Sequence, residues 1–224
     1  MSDTAGWWEK HRQTMSDTAG WWEKHAFPSA VDLVLSDRLV GEWRRGLTAG
    51  AHGIVLDLGF GSGPNLPHYP MAVEQVYAVD PSDEGWQRAG AAIADFGRPV
   101  TRIGTDAAAI SLPDNSVDVV VAAWSLCSIP DVEAALTHAR RVLRPGGTLR
   151  LVEHGLSPRP WLAAAQRAMQ PAWGRLASGC HVDRDIERLV AAAGFDTSGL
   201  TAQTAFGVPT PWTWFVAGSA TTSP

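Results

Sequence analysis

The chain has 224 residues, of which 45% are hydrophobic and 18% charged, with a formal net charge of -5. That length fits one domain with at most a small cap, and the composition is that of an ordinary globular protein. No basic stretch follows a nucleic-acid backbone, which excludes a polynucleotide partner, and no apolar run is long enough to span a bilayer.

In chain order, residues 1–11 read MSDTAGWWEKH and residues 15–25 repeat them without change. A perfect repeat that opens on methionine both times is expected to be a start-site artefact, since a solenoid needs several diverging units. Residues 1–14 therefore read as a duplicated segment, Met15 as the natural start, and 15–224 as a single domain. No signal peptide is visible. The two cysteines, Cys127 and Cys180, make no disulfide framework. They predict a cytoplasmic protein with buried, inert thiols and no metal.

Residues 30–47 place Val31, Leu33, Val34, Leu35, Leu39, Val40 and Trp43 at helical spacing. Residues 54–58 are a short β-rich apolar run, as expected of a strand buried on both faces. Gly59, Gly61 and Gly63 follow it, and without a Cβ the backbone there can turn sharply and approach a ligand. Residues 75–79 predict a second strand, closed by Asp80, then 82–95 a helix and 100–104 a third strand. A nearly all-apolar fourth strand, 117–123, follows the turn residues Pro113-Asp114-Asn115-Ser116. Residues 131–143 predict a helix stopped by Pro145-Gly146-Gly147, and 148–153 a fifth strand.

Residues 158–176 set Trp161, Leu162, Ala165, Met169, Trp173 and Leu176 along one helical face, with Pro171 as a kink and Arg159, Arg167 and Arg175 beside it. The expectation is a helical cap near 158–178 packed on the sheet. The sharper alternative is a lid over an apolar substrate, with peripheral membrane contact. Residues 183–193 predict a helix ended by Gly194, and 200–205 with 212–217 a terminal hairpin. The fold class is thus α/β: a Rossmann-like, doubly wound, seven-stranded sheet, mostly parallel with an antiparallel C-terminal hairpin, plus a helical cap.

Ligands of open parallel sheets bind beyond the carboxyl ends of the strands, where strand order reverses. A dinucleotide fingerprint, G-x-G-x-x-G, counted from Gly59 would need its third glycine at Pro64; here that glycine comes one residue early, at Gly63. Asp57, just before the loop, suits the cationic aminoacyl end of S-adenosylmethionine and suits a pyrophosphate poorly. Asp80, at the end of the neighbouring strand, is placed to accept both hydroxyl protons of a ribose. A nicotinamide oxidoreductase is therefore the distant alternative.

With these segments placed, the chain resembles the class I S-adenosylmethionine-dependent methyltransferases from about residue 20 onward. The first motif is Asp57-Leu58-Gly59-Phe60-Gly61-Ser62-Gly63 and the second is Asp80. Thr105-Asp106-Ala107, the run from Leu112 to Asp118, and Leu143-Arg144-Pro145-Gly146-Gly147 supply the later ones. The resemblance implies that Asp57, Gly59, Gly61 and Gly63 hold the aminoacyl end of the cofactor, with Asn65 adding a polar contact. It implies that Asp80 holds the ribose, Asp106 and Ala107 the adenine edge, and that Trp124 walls the methyl-transfer site. S-adenosyl-L-homocysteine would be the product.

A narrower resemblance rests on the run Trp124 to Ile129, Val152-Glu153-His154, Gln166, Pro171, Trp173, and the run Gly179 to Arg184. It points to a branch containing thiol S-methyltransferases and bacterial phospholipid N-methyltransferase-like proteins. Val182-Asp183-Arg184 stands where that branch has Leu-Thr-Arg, and Phe60 replaces a commoner cysteine. The branch implies a small, apolar acceptor, with thiol S-methylation favoured over ethanolamine-phospholipid N-methylation or O-methylation. His154, ending the fifth strand, is the candidate general base, and His181 the second. A structural histidine bonded to backbone is the alternative reading of each.

Overall fold

The computed structural model describes residues 35–222. The duplicated segment and the start of the first predicted helix, residues 30–34, lie outside the described residues. The remainder of that helix is α1, Asp37–Thr48, which buries Val40, Arg44, Leu47 and Thr48.

The strands are β1 (Gly53–Leu58), β2 (Val73–Val79), β3 (Val100–Gly104), β4 (Val117–Ala123), β5 (Leu143–His154), β6 (Phe195–Asp196), β7 (Leu200–Thr204) and β8 (Trp214–Thr222). They form one sheet in the order β3-β2-β1-β4-β5-β8-β6, with β7 also paired to β8. The pairs from β3 through β5 are parallel, and β8 runs antiparallel to β5, β6 and β7. The sheet thus has seven positions, as expected. β6 and β7 are two stretches of one edge, both laid along β8 and separated by residues 197–199.

Chain order reverses between β1 and β4. Both are buried on two faces: Val55, Leu56 and Leu58 on β1, and Val119, Val120 and Val121 on β4, are fully buried. Each such side chain contributes about 1.5–3 kcal/mol of burial free energy, which makes this pair of strands the rigid floor of the switch point.

Several boundaries differ from those predicted. The helix expected at 82–95 is two, α2 (Asp83–Arg88) and α3 (Gly90–Phe96), meeting at Ala89. Gly90 opens the second, where a continuous helix would order the residue with the most backbone freedom. The next helix, α4 (Val132–Val142), is capped by Asp131, which accepts from Ala134 N–H at 3.0 Å. It ends before Pro145. Leu143 is buried and pairs with Val117, so the chain is already extended there and Pro145-Gly146-Gly147 forms a bend inside β5.

The cap helix α5 (Pro160–Leu176) is present with Pro171 inside it, but its buried face is Leu162, Ala163, Gln166 and Gln170. Trp161 and Leu176, predicted to face inward, are 59% and 63% exposed. Two glutamines one turn apart dock this helix. Gln166 Nε2 donates to the carbonyls of Gly155, Val182 and Pro211 at 2.9–3.0 Å, while its Oε1 accepts from Ser157 N–H at 2.9 Å. Gln170 donates to Cys180 O at 3.0 Å and accepts from Val182 N–H at 3.1 Å. Polar side chains that satisfy otherwise orphaned loop backbone take the place of an apolar stripe.

The last helix, α6 (Ile186–Ala192), begins three residues later than predicted because Arg184 is used elsewhere. Its Nη1 donates to the carbonyls of Leu126 and Ile129 at 2.5 and 2.7 Å.

Candidate active site

Beyond β1 the chain enters the glycine loop. Gly59, Gly61 and Gly63 all have positive φ (73°, 55° and 76°), the region that L side chains resist. Their surroundings differ. A Cβ on Gly59 would lie 2.4 Å from the Cβ of Ser125, so the loop touches the segment that follows β4. A Cβ on Gly61 would meet no protein atom within 4 Å and would project into open space at the loop's crest.

Asp80 closes β2 and holds that crest. Its Oδ2 accepts from Gly61 N–H and its Oδ1 from Ser82 N–H, both at 2.7 Å. A carboxylate offers about four acceptor positions, so two remain after these bonds. Asp106 lies past β3, exposed, with its Oδ1 accepting from Ala108 N–H at 2.8 Å, and Ala107 beside it is buried.

Asp57 is fully buried behind the loop. Tyr69 Oη donates to its Oδ2 at 2.8 Å, and Asn65 Nδ2 donates to Oδ2 at 3.1 Å. Arg44 Nη1 in turn donates to Asn65 Oδ1 at 2.8 Å. Burial pushes the Asp57 carboxyl up from 3.8 to about 6, against the pull of Tyr69, Asn65 and Arg44. Burial and the neighbouring Asp57 likewise push the Tyr69 hydroxyl well above its ordinary value. Asn65 is therefore a bridge between Asp57 and Arg44, a role the sequence motif does not announce.

The ends of β4 and β5 supply the other wall. Trp124 has φ 51° and donates its backbone N–H to Val152 O at 2.8 Å. Its indole is buried, its Nε1 has no hydrogen-bond partner, and the Arg44 guanidinium lies 5.2 Å from the ring centre. Phe215 on β8, paired in register with His154, is the hub of an aromatic wall: Trp43, Trp124 and His154 each meet it edge-on, at 5.3, 5.7 and 5.3 Å.

Glu153, fully buried at the end of β5, holds the segment after Trp124 in place. Its Oε1 accepts from the N–H groups of Ser125 and Leu126 at 2.9 Å, and Oε2 from Cys127 N–H at 3.1 Å. Burial pushes its carboxyl above the usual range, and the three N–H donors oppose that.

His154 ends β5 as predicted, but it has close company. Its Nδ1 lies 3.7 Å from Cys127 Sγ and 3.6 Å from Cys180 Sγ, and the two sulfurs are 3.6 Å apart. The cysteines are buried, as expected, yet not isolated from each other. The hydrogen bond between the two thiols holds Cys180 below the ordinary thiol range, with His154 adding to the effect, and the same bond together with burial pushes Cys127 up. His181 is half-exposed. Gln170 Nε2 lies 3.2 Å from its Nδ1, and its backbone N–H donates to Cys127 O at 2.7 Å.

The structure therefore gathers Asp57, the three glycines, Asn65 and Asp80 at one group of strand ends, and joins that group to Trp124 through the Gly59–Ser125 contact. Arg44, Tyr69 and Phe215 are supporting residues that the sequence does not single out, and Glu153, present in the branch motif, has a supporting role that the motif does not assign. Only Glu153 carried a signal, as a lone carboxylate in an apolar strand.

A family profile described as "Methyltransferase domain" matches residues 56–151. The human thiol S-methyltransferase TMT1B is 33% identical over 182 residues, covering 78% of this chain and 71% of that protein. A phosphatidylethanolamine N-methyltransferase of Cereibacter sphaeroides is 34% identical over 141 residues, covering 62% and 68%. The chain spans about two thirds of the length of such relatives. Among solved structures, the putative methyltransferase in complex with the Haloferax volcanii Trm112 activator superimposes with a TM-score of 0.68 at 16% identity, over 91% of this chain and 96% of that one. With the reversed-order sheet, the glycine loop and Asp80 in place, these matches place the chain in the family of S-adenosylmethionine-dependent methyltransferases.

Proposed function

We propose that this chain methylates a small apolar thiol, using S-adenosylmethionine. The residues at the strand ends fit that cofactor. Asp80 keeps acceptor positions for a ribose diol, and the Gly61 crest borders open space that any side chain there would enter. The orphaned Trp124 Nε1–H is a donor without a protein partner. When bound, the cofactor supplies an electrophilic methyl group on a sulfonium.

This chain's residues then bind, orient and exclude water. The backbone of Gly59 to Gly63 and Asp57 present negative charge and close approach to a cationic aminoacyl end, Asp80 takes the ribose, and Asp106 and Ala107 take the adenine edge. Asp57 acts mainly from behind, by fixing Asn65 and Tyr69. Trp124 walls the acceptor side. A thiol with an ordinary pKa near 8.5 is already partly ionised at neutral pH, so His154 need only accept a proton that is easily lost.

The observation that carries the acceptor class is the aromatic wall of Trp43, Trp124 and Phe215, with His154 as its polar member, next to the loop. Such a wall excludes water and favours an apolar molecule with one reactive polar atom. The similarity to thiol S-methyltransferases supports the same class. The test is methyl transfer to a panel of alkyl thiols, amines and phenols. Turnover on thiols is expected; turnover on amines or phenols with none on thiols overturns the reading.

One observation favours a second reading, N-methylation of a phospholipid head group. Trp161, Leu176, Phe206, Val208 and Trp212 are all 46–63% exposed, large apolar surface of the kind that rests on lipid. Co-sedimentation with ethanolamine-phospholipid vesicles, followed by methyl incorporation into the lipid, decides between the two.

A further inference from the structure

We propose that Cys127, His154 and Cys180 bind a soft divalent cation of the zinc class, with a fourth coordination position left open for a thiolate. The arrangement of the three side chains carries the site. They come from three separate elements: the segment after β4, the end of β5, and the turn after α5. The ligand atoms are 26 to 53 residues apart in sequence.

The geometry is specific. A tetrahedral centre with Zn–S near 2.3 Å and Zn–N near 2.0–2.1 Å needs its ligand atoms about 3.8 Å apart for a sulfur pair and about 3.6 Å apart for sulfur and nitrogen. The observed separations are 3.6 Å for the two sulfurs, and 3.7 and 3.6 Å for each sulfur with Nδ1. All three edges of one tetrahedral face are thus within about 0.2 Å of what the ion requires. A disulfide, at about 2.05 Å, is not what the two cysteines form.

The cluster is also held in advance. Cys127 N–H is fixed by Glu153 at 3.1 Å and its carbonyl by His181 N–H at 2.7 Å. The Cys180 carbonyl is fixed by Gln170 Nε2 at 3.0 Å. Preorganised supports of this kind around the ligands raise metal affinity. Two thiolates and one neutral imidazole on a divalent ion make a centre of zero net charge, with the two thiol protons released to solvent. That suits cysteine residues only 1% and 7% exposed.

Among the described residues, no fourth histidine, cysteine or carboxylate joins the group. The Glu153 carboxylate is occupied by backbone N–H groups of residues 125 to 127. Structural zinc sites close with four protein ligands, whereas two cysteines and a histidine leave one position for water or substrate. The assignment of that position to a thiolate rests on the thiol reading above. With the ion bound, His154 is a ligand instead of the proton acceptor named above, and a thiol taken up there would lose its proton to solvent as its sulfur bonds to the ion. The metal site itself does not depend on that reading.

The test uses the full-length protein, stripped with a chelator under reducing conditions and titrated with cobalt(II). The expected result is saturation at about one equivalent, with a thiolate-to-cobalt charge-transfer band that zinc displaces. Cys180→Ser and His154→Gln should each weaken cobalt binding at least tenfold. Binding of S-adenosylhomocysteine, followed in parallel, reports that each variant is folded. Wild-type protein that binds S-adenosylhomocysteine but gives no charge-transfer band overturns the metal site and leaves the methyltransferase reading intact. A band that persists at full strength in Cys180→Ser also overturns it. Adding an alkyl thiol to the cobalt form should change the band. An unchanged band overturns the thiolate position alone.

Discussion

Gly59 and Gly61 have similar backbone angles but different neighbours, and that contrast separates folding from ligand binding. Placing alanine at either position forces a left-handed conformation worth about 1–2 kcal/mol. At Gly61 nothing more is expected, since no protein atom lies within 4 Å of the new methyl group. At Gly59 the methyl would lie 2.4 Å from Ser125 Cβ, and Ser125 cannot retreat freely because its N–H is bonded to Glu153. Overpacking of that kind adds about 1–3 kcal/mol, for a total of about 2–5 kcal/mol. Urea unfolding should therefore rank wild type, Gly61→Ala and Gly59→Ala in falling stability. Calorimetric titration with S-adenosylhomocysteine should show the Gly61→Ala protein losing at least tenfold in affinity, about 1.4 kcal/mol, while it remains folded. Wild-type affinity in Gly61→Ala would refute the placing of the ligand against the crest. Equal stability of the two variants would refute the close approach to Ser125.

Asp57, whose carboxyl is raised from 3.8 to about 6, favours the fold in its protonated form. Its contribution is complete below about pH 3.8 and is lost as pH rises through about 6, a difference of at most about 3 kcal/mol. The stability of wild type relative to Asp57→Asn, measured by urea unfolding, should fall across that window; a constant difference contradicts the shift. Asp80→Ala should weaken S-adenosylhomocysteine binding by about 10- to 100-fold, and it also strips the Gly61 and Ser82 N–H groups of their acceptor. Asp80→Asn, which keeps an acceptor, should lose less, and titration calorimetry ranks the two. Gln166→Leu should cost about 3–5 kcal/mol in urea unfolding, because buried carbonyls of Gly155, Val182 and Pro211 and the Ser157 N–H lose their partner. A loss under 1 kcal/mol would show that these groups find water instead.

What could be read from the sequence was local, and what could not was long-range. The β3 and β4 bounds follow from apolar runs flanked by turn residues, and the glycine spacing with Asp80 selects the cofactor, because each signal lies within a few residues. The buried face of α5 was unreadable for a different reason. Hydrophobic periodicity assumes that a helix docks through apolar side chains, whereas this one docks through Gln166 and Gln170 onto backbone from three loops. Helical spacing alone places Trp161 and Leu176 on the inward face, and their exposure leaves apolar surface that the core does not claim. The cysteines show the same limit more sharply. Fifty-three residues apart, they carry no spacing motif, and only the crossing from β4 to β5, with Gln170 and His181 fixing the turn after the cap helix, brings their sulfurs to 3.6 Å beside His154. That same crossing puts Ser125 against Gly59. A shift in the segment between Trp124 and Cys127 therefore acts on the glycine loop and on the thiol–imidazole cluster together. Glu153, which binds three N–H groups of that segment, is the side chain through which the two halves of the site are kept in register.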